Sequence, residues 1–347
     1  MADLYEIIVD GIKTEEGLSD AGLITRLKQL QTSVKFLRQS YHNYPVHVPY
    51  ERKDIQAAYL ITYFPHYYQL IYKILVEDYP SIFIDKSKVK LVYFGGGPGP
   101  EIYGTLKFIT NNRPEVTTVD VWLFDINALQ WKYSHNILQN YLLPSIVNPN
   151  IRINFSFNHC DLTELCIEKS YKAILSDCDL MVFQNCLNEI PVTSIGQLGE
   201  NIQLFFNFLP KGAALLLSDL TGGTFAVTSL MQNLEKKIST LYKVTHLHSI
   251  IEHNSCESIQ SVHHLPSALI SQHLLDGQSG LIPRKWLKYN YSFLQKTQIC
   301  SEPETSIENG LQAIYTPLNF ANSDANNYLN EKSFIGIDFG TSTTVVS

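Results

Sequence analysis

The sequence contains no uninterrupted apolar run of about 20 residues, the length that a membrane-spanning helix requires. Its first residues, Met1-Ala-Asp-Leu-Tyr-Glu6, include two acids, whereas a secretory signal has a basic start and an apolar centre. The six cysteines include no C-x-x-C pair, which argues against a zinc or iron–sulfur site and agrees with reduced thiols. We therefore expect a soluble, cytoplasmic protein.

Clustered basic residues are also scarce. The formal net charge of -7 weighs against an extended surface that follows a phosphate backbone. Arg284, Lys285 and Lys288 form the most compact late cluster, which we interpret as solvated loop charge. Nucleic acid is therefore disfavoured as a partner, although a local basic patch is compatible with this charge.

The histidines do not form a recognisable metal-binding pattern. His246 and His248 would share one face of a strand, and further histidines follow at positions 253, 263, 264 and 273. Their spacing matches no known ligand set, and no cysteines support them. We favour ordinary surface or partly buried histidines and predict no metal site.

A glycine-rich loop is the most informative feature that the sequence does contain. Leu91–Phe94 predicts a short buried strand, and Gly95, Gly97 and Gly99 allow a tight turn with close approach of a ligand to the backbone. The apolar stretch Ile102–Ile109 predicts a helix just beyond the turn. This arrangement is typical of a nucleotide-type cofactor loop.

Two phosphate-binding motifs fit the loop poorly. A dinucleotide fingerprint has glycine or alanine at the sixth position of G-x-G-x-x-G, where this chain has Pro100. A P-loop ends in Gly-Lys-Ser/Thr, and no such run follows Gly95. The loop has instead the spacing G-x-G-x-G.

Three later strands end in polar residues. Each is an apolar strand followed by an acid or amide at its carboxyl end: Val119–Phe124 before Asp125, Ile151–Phe157 before Asp161, and Asp179–Phe183 before the segment 184–189. The segment Lys211–Asp219 has the pattern of a turn and a fifth strand. Parallel strands bind ligands beyond their carboxyl ends, so these polar residues are candidates for one site.

In this order, the glycine loop and the strand ends resemble the motifs of the class I S-adenosylmethionine-dependent methyltransferases. The resemblance implies that Asp125 binds the ribose hydroxyls, since a carboxylate accepts both hydrogen bonds, and that Asp161 receives the adenine amino group. It implies S-adenosylmethionine as the cofactor. The cofactor-binding residues would be Gly95, Gly96, Gly97, Gly99, Glu101, Asp125, Ile126, Asp161, Leu162 and Asn185.

The chain departs from this pattern at two points. Tyr93 occupies a position where many members of the family carry an acid, and Asp125 lies farther from the glycines than usual. The loop 110–116 can absorb the extra residues. The alternatives are a tight turn in another α/β protein, and loop or capping roles for Asp125 and Asp161.

The alternation of strands and helical patterns implies an α/β fold of mostly parallel strands with right-handed crossovers. The resemblance predicts a Rossmann-like methyltransferase sheet with an antiparallel last strand and helices on both faces. We assign residues 1–85 to a helical N-terminal cap and 86–300 to the methyltransferase domain. The arms of a closing hairpin would be Leu241–His248 and Tyr289–Thr297, separated by an insertion at about 250–288.

The N-terminal region has helical periodicity of its own. Ser19-Asp20 can cap a helix that continues through Leu37, and Ile55–Val76 forms a second pattern that is broken near Phe64-Pro65. Several tyrosines of this region are candidates for the wall of an acceptor pocket: Tyr59, Tyr63, Tyr67, Tyr68 and Tyr72. For most of them we prefer the alternative of aromatic core packing at helical spacing.

A narrower resemblance concerns Ala57–Leu75, the glycine loop and Asp179–Ile190. These segments are similar to a methyltransferase family associated with the mitochondrial and bacterial small ribosomal subunit. That family typically carries clustered cysteines suited to an iron–sulfur centre, which this chain lacks. The missing cysteines argue against a ribosomal role for this chain.

The last residues, Phe334–Val346, resemble the first phosphate-binding hairpin of the ATPases related to DnaK-type chaperones, actin and sugar kinases. The resemblance implies that Asp338 holds metal-bound phosphate, with Gly340, Thr341 and Thr343 close to the phosphates. The sequence ends just after this hairpin, so the hairpin cannot be an ATPase alone.

The polar, turn-rich segment 301–333 predicts a linker before this hairpin, residues 334–347. Two explanations of the resemblance stay open: the chain is the front portion of a methyltransferase–ATPase fusion, or the tail is a vestige of a split gene. The alternative to the resemblance itself is that Phe334–Val346 forms only an additional pair of edge strands. A DnaK- or actin-like ATPase is thus a candidate partner, in the same chain or separate from it.

Methyl transfer from a sulfonium chiefly needs in-line positioning of the acceptor, and an amine or hydroxyl acceptor also needs a base. Glu189 and Asn188, just after the fourth strand, are the candidate base and orienting amide. Alternatively, Glu189 caps a helix that starts near Pro191.

The sequence therefore predicts an S-adenosylmethionine-dependent methyltransferase whose acceptor is unknown. The main alternative is a catalytically silent module that binds S-adenosylmethionine or S-adenosylhomocysteine and regulates a DnaK-like ATPase. An adenine-nucleotide-binding module is disfavoured by Pro100.

Overall fold

A computed structural model of the chain describes residues 3–41, 46–77, 81–166, 169–220, 225–249, 256–277 and 279–299. The helices are α1 (Leu4–Glu15), α2 (Asp20–Ser40), α3 (Lys53–Thr62), α4 (Phe64–Glu77), α5 (Pro100–Asn112), α6 (Lys132–Ile137), α7 (Lys169–Leu175), α8 (Ile195–Phe208), α9 (Phe225–Leu241) and α10 (Ala268–His273). The strands are β1 (Lys88–Phe94), β2 (Thr118–Asp125), β3 (Arg152–His159), β4 (Leu180–Gln184), β5 (Ala214–Leu220), β6 (Tyr242–Ser249), β7 (Glu257–Gln260) and β8 (Trp286–Ile299).

The strands form one sheet in the order β3-β2-β1-β4-β5-β8-β6, with β7 paired to β8. The pairs among β1 to β5 are parallel, and β8 is antiparallel to both β5 and β6. The predicted Rossmann-like sheet with an antiparallel last strand is thereby confirmed. The strands β6 and β8 correspond to the two predicted hairpin arms, although Leu241 is the last residue of α9, and β7 and α10 lie in the segment predicted as an insertion.

The central strands of the sheet are buried on both faces, as expected for a parallel sheet covered by crossover helices. All residues of β4 are buried. On one face, β4 contributes to an apolar cluster with α7, α8 and α9, in which the rings of Phe183 and Phe205 lie 4.9 and 4.6 Å from that of Phe94. Phe94 and Phe183 are partners in the parallel pairing of β1 and β4. The segments that follow the two strands therefore start next to each other.

The other face of the sheet packs against the N-terminal helices, which share one apolar cluster with β1, β2 and α5. The helix α4 lies so close to α5 that a Cβ atom at Gly104 would sit 2.4 Å from the carbonyl oxygen of Tyr68. Only glycine fits there. The predicted N-terminal helices therefore belong to the core of the fold.

The predicted boundaries of these helices agree with the structure. Ser19 caps α2, because its hydroxyl oxygen accepts a hydrogen bond from the backbone nitrogen of Gly22 at 3.1 Å. The second helical pattern is interrupted at Tyr63, whose backbone is not helical (φ −121°, ψ −42°) and which separates α3 from α4. Pro65 follows in the first turn of α4, where its missing N–H is tolerated.

Some predicted features fall outside the described residues. These are the linker 301–333, the ATPase-like segment 334–347, His253, and the side chains of His246 and His248. Among the helices that the structure describes, none is long and apolar enough to span a membrane.

Candidate functional site

A cavity of about 640 Å³ lies beyond the carboxyl ends of β1 to β4. Its volume falls within the range of about 300–1,000 Å³ that small-molecule sites occupy. It is lined by the glycine loop, by residues that follow each of the four strands, and by Val46–Pro49 and Tyr50 from the segment between α2 and α3. Four strand ends thus meet at one cavity, as the parallel order requires.

The glycine loop needs glycine for two physical reasons. Gly95, Gly97 and Gly99 have φ angles of 64°, 48° and 81°, in the left-handed region that side chains disfavour. A Cβ atom at Gly95 would lie 2.5 Å from Cβ of Cys186, and one at Gly96 would lie 2.5 Å from Oε1 of Glu101. The loop therefore brings bare backbone to the cavity wall.

Asp125, the last residue of β2, fixes this loop. Its Oδ2 accepts a hydrogen bond from the backbone nitrogen of Gly97 at 2.9 Å, and its Oδ1 accepts one from Asn127 at 2.7 Å. Burial raises the pKa of Asp125, and these two hydrogen bonds, together with the nearby Trp131 side chain, oppose the rise. Each carboxylate oxygen has a second acceptor position, so Asp125 retains capacity to bind a ligand hydroxyl.

Asp161, after β3, is held by Thr163. The backbone nitrogen and the hydroxyl of Thr163 both donate to Oδ1 of Asp161, at 2.8 and 2.7 Å. Because both bonds end on the same oxygen, Oδ2 keeps acceptor capacity. Asp161 lines the cavity together with the apolar side chains of Ile126 and Leu162. This part of the wall suits a flat ring system that carries a hydrogen-bond donor.

Unsatisfied amide groups lie at the end of β4. The side-chain oxygen of Gln184 and both polar side-chain atoms of Asn185 are shielded from solvent and have no partner within the described part of the chain. Asn185 also has a φ of 56°, which is strained for a residue with a side chain. Both residues line the cavity. An unmet donor and unmet acceptors there indicate a polar ligand, since leaving such groups unpaired costs about 1–3 kcal/mol each.

Glu189 faces the same cavity from the turn after β4. Its Oε1 accepts a hydrogen bond from the hydroxyl of Tyr50 at 3.1 Å, and that hydroxyl lies 2.8 Å from the hydroxyl of Tyr41. Burial and then the charge of Asp125 raise the pKa of Glu189 to about 8, and the Tyr50 hydrogen bond opposes the rise. A 3₁₀ helix begins at Val192, close to the predicted helix start, and leads into α8 at Ile195. Neither start has a side-chain cap at its N-cap residue, and Oε1 of Glu189 accepts its hydrogen bond from Tyr50.

Asn188 does not line the cavity, in contrast to the prediction that it orients an acceptor. Its side-chain nitrogen donates to Oδ1 of Asp219 at 2.8 Å, and its backbone nitrogen donates to Oδ2 at 3.1 Å. Burial raises the pKa of Asp219 to about 7. The two hydrogen bonds between Asn188 and Asp219 hold the turn that carries Glu189.

The structure brings together most of the other predicted site residues. Those that line the cavity are Gly95, Gly96, Gly97, Glu101, Asp125, Ile126, Asp161, Leu162 and Asn185. Gly99 lies just behind the lining, at the N-cap of α5. Of the five candidate tyrosines, Tyr59 lines the cavity, Tyr63, Tyr67 and Tyr68 are buried in the core, and Tyr72 is half-buried against it.

Sequence reasoning missed several lining residues. Tyr50 and Val46–Pro49 lie in a short connection without periodicity, and Trp131 lies just before a short helix. Their only signal was aromatic and proline content in a connecting segment. Within the described ranges, no group of three or more His, Cys, Asp or Glu residues is arranged to hold a metal ion.

No family model matches the chain, and no curated protein matches it. Among solved structures, the plantazolicin methyltransferase BpumL in complex with SAH is 13% identical, with a TM-score of 0.39, over 78% of this chain and 100% of that chain.

Two other solved structures are similar at the same level. An O-methyltransferase family protein from Burkholderia thailandensis is 12% identical (TM-score 0.39), over 86% of this chain and 73% of that chain. A putative class I S-adenosylmethionine-dependent methyltransferase (lmo1582) from Listeria monocytogenes is 11% identical (TM-score 0.38), over 87% and 90%. At such identities, the function of this chain has to be inferred from the residues of its cavity.

Proposed function

We propose that this chain binds S-adenosylmethionine in the cavity and acts as a methyltransferase. The observation that carries the proposal is the convergence of the glycine loop, Asp125, Asp161 and Asn185 from four strand ends on one cavity. When bound, the cofactor supplies an activated methyl group. Everything else that the reaction requires is positioning and proton transfer, which the residues of this chain can provide.

The residues present fit such a ligand at each of its parts. Asp125 has free acceptor positions for two vicinal hydroxyls. Asp161, flanked by Ile126 and Leu162, suits an adenine ring with its amino group. Gln184 and Asn185 offer an unmet donor and unmet acceptors, which would bind the charged amino-acid end.

Glu101 adds a buried carboxyl to that end of the cavity. It is only 2% exposed, and burial raises its pKa well above the ordinary value, with a further contribution from the charge of Asp125. A cation in contact with Glu101 would stabilise its ionised form. We therefore assign Glu101 to the ammonium group of the cofactor, with Gly96 packed against the carboxyl.

Glu189 is the proposed base. It faces the cavity, its raised pKa keeps it close to the protonation equilibrium at neutral pH, and Tyr50 holds its orientation. Asp219 and Asn188 position it through the turn that follows β4.

The test is a calorimetric titration of the purified chain with S-adenosylmethionine and S-adenosylhomocysteine, with NAD and ATP as comparison ligands. We expect S-adenosylmethionine and S-adenosylhomocysteine each to bind at one site per chain. Asp125→Ala should reduce the affinity for both at least about tenfold, because two charge-assisted hydrogen bonds to the ribose are lost. Asp10→Ala, an exposed position on α1, is the matched control and should bind like the unmodified chain. No binding by a folded chain, or stronger binding of NAD or ATP, would overturn the proposal.

A further inference from the structure

One end of the cavity combines aromatic rings with a carboxyl group. We call the rings of Tyr50, Tyr59 and Trp131 the aromatic wall. Their centroids lie 4.6 Å (Tyr50–Trp131), 6.0 Å (Tyr59–Trp131) and 6.5 Å (Tyr50–Tyr59) apart, and all three residues line the cavity. Glu189 is attached to this wall by the hydroxyl of Tyr50. The rings and the carboxyl therefore enclose a common volume.

Glu189 is not balanced by a basic side chain. No lysine, arginine or histidine of the described residues forms an ion pair with it, and its hydrogen-bond partner is a neutral phenol. The negative charges that act on it, those of Asp125 and Asp219, disfavour its ionised form in the empty cavity. A ligand cation would supply the missing positive charge.

The aromatic wall favours the same kind of ligand. Aromatic faces attract cations, most strongly where water is excluded, and the wall presents three rings beside the carboxyl of Glu189. A carboxylate or phosphate acceptor would instead disfavour the ionised form of Glu189 further, and a base needs that form. An alcohol would gain nothing from the charge of Glu189 beyond a hydrogen bond.

We propose that the methyl acceptor is a primary or secondary amine, which enters as its ammonium ion between Glu189 and the aromatic wall. This inference rests on the proposed methyltransferase function and names its class of substrate. The ammonium transfers one proton to the Glu189 carboxylate and becomes a neutral amine. Its nitrogen then forms a bond to the methyl carbon while the carbon–sulfur bond breaks, and that electron pair remains on sulfur. The methylated nitrogen carries the positive charge, and the proton on Glu189 leaves to solvent.

The test measures binding of two ligands of the same shape to the chain saturated with S-adenosylhomocysteine. The amine 2-phenylethylamine is compared with the alcohol 2-phenylethanol by calorimetry at pH 8. We expect the amine to bind at least about tenfold more tightly, since a desolvated cation–π contact and an ion pair each contribute on that scale. Glu189→Gln and Tyr59→Leu should each reduce this preference to less than about threefold, whereas the exposed control Glu115→Gln should retain it.

Separate titrations with S-adenosylhomocysteine distinguish the two proposals. If neither the unmodified chain nor the variants bind it, the methyltransferase proposal fails, and the amine inference fails with it. If the unmodified chain binds it but shows no preference for the amine, or binds neither ligand, the amine inference alone is overturned. If Glu189→Gln weakens S-adenosylhomocysteine as much as the amine, Glu189 belongs to the cofactor site, which also overturns the inference. Circular dichroism of each variant confirms that it is folded.

Discussion

The hydroxyl of Tyr50 donates a hydrogen bond to Oε1 of Glu189 at 3.1 Å, across 139 positions of sequence. Tyr50 lies between two N-terminal helices, whereas Glu189 follows the fourth strand of the sheet. The contact therefore couples the N-terminal region to the candidate base. It also opposes the rise in the pKa of that base that burial and the charge of Asp125 cause, because a hydrogen bond from a phenol stabilises the ionised carboxylate.

Removal of the Tyr50 hydroxyl should raise the pKa of Glu189 above its value of about 8. The variant Tyr50→Phe keeps the ring and deletes only the donor. Carbon-13 NMR of glutamate-labelled protein can follow the carboxyl, with Glu189→Gln to assign the signal. We expect the inflection near pH 8 to move to higher pH in Tyr50→Phe and to be unchanged in Tyr72→Phe, a control outside the cavity lining. An unchanged inflection in Tyr50→Phe would show that the hydrogen bond does not influence Glu189.

The sheet and the loop could be predicted from the sequence because both depend on local patterns. Apolar strands of β1 to β5 stand out between helical periods, and the glycines at 95, 97 and 99 mark a turn that other residues cannot form. The cap of α2 at Ser19 is likewise local.

The acceptor end of the cavity could not be predicted in the same way. Tyr50 reaches Glu189 only through the packing of the N-terminal helices on the sheet, which no short pattern encodes. Asn188 was predicted to be an orienting amide, whereas in the structure its amide nitrogen donates to Asp219 on the neighbouring strand β5. In a short turn, the direction of a side chain is decided by its tertiary partner.

The glycine loop should not tolerate a methyl group at its first position. Gly95→Ala places a Cβ atom 2.5 Å from Cβ of Cys186 and imposes the left-handed conformation on alanine. We expect a loss of about 3 kcal/mol in the free energy of unfolding, from backbone strain and overpacking together, and weaker binding of S-adenosylhomocysteine. Urea denaturation and calorimetry measure the two effects.

Gly196→Ala is the matched control for this substitution. Gly196 lies in α8, and a Cβ atom there meets no other atom within 4 Å. Alanine should stabilise the helix by up to about 1 kcal/mol and leave ligand binding unchanged. Equal stability of the two alanine variants would contradict the steric account of the loop.

Buried His66 should make the chain less stable in acid. Burial lowers its pKa from 6.5 to about 3, and its Nδ1 lies 2.6 Å from the hydroxyl of Ser261. Below pH 6.5 the unfolded chain binds a proton at this histidine, whereas the folded chain does not bind it until the pH approaches 3. The free energy of unfolding therefore decreases as the pH falls from 6.5 towards 3. The slope is about 1.4 kcal/mol per pH unit.

The measurement compares the unmodified chain with His66→Gln by urea denaturation at pH 7 and pH 5. His66→Gln lacks the titrating group. From pH 7 to pH 5 its free energy of unfolding should therefore decrease by about 2 kcal/mol less than that of the unmodified chain. Identical pH dependence in the two proteins would refute the assignment of a depressed pKa to His66.

Asp219 should have the opposite effect on the dependence of stability on pH. Burial raises its pKa from 3.8 to about 7, so between these values the folded chain holds a proton that the unfolded chain has released. Its contribution is therefore present at low pH and is lost as the pH rises through 7. Between pH 5 and pH 7, Asp219→Asn should lose less stability than the unmodified chain, by about 2–3 kcal/mol.

The same variant tests the positioning role of Asp219. Asparagine keeps one acceptor oxygen but replaces the other with a donor, which cannot accept from the backbone nitrogen of Asn188. The turn that carries Glu189 should then lose its fixed orientation, while the residues assigned to the cofactor are unaffected. We expect Asp219→Asn to bind S-adenosylhomocysteine normally and to lose most of the preference for 2-phenylethylamine over 2-phenylethanol. A variant that retains this preference would show that the anchor between Asp219 and Asn188 is not needed to place Glu189.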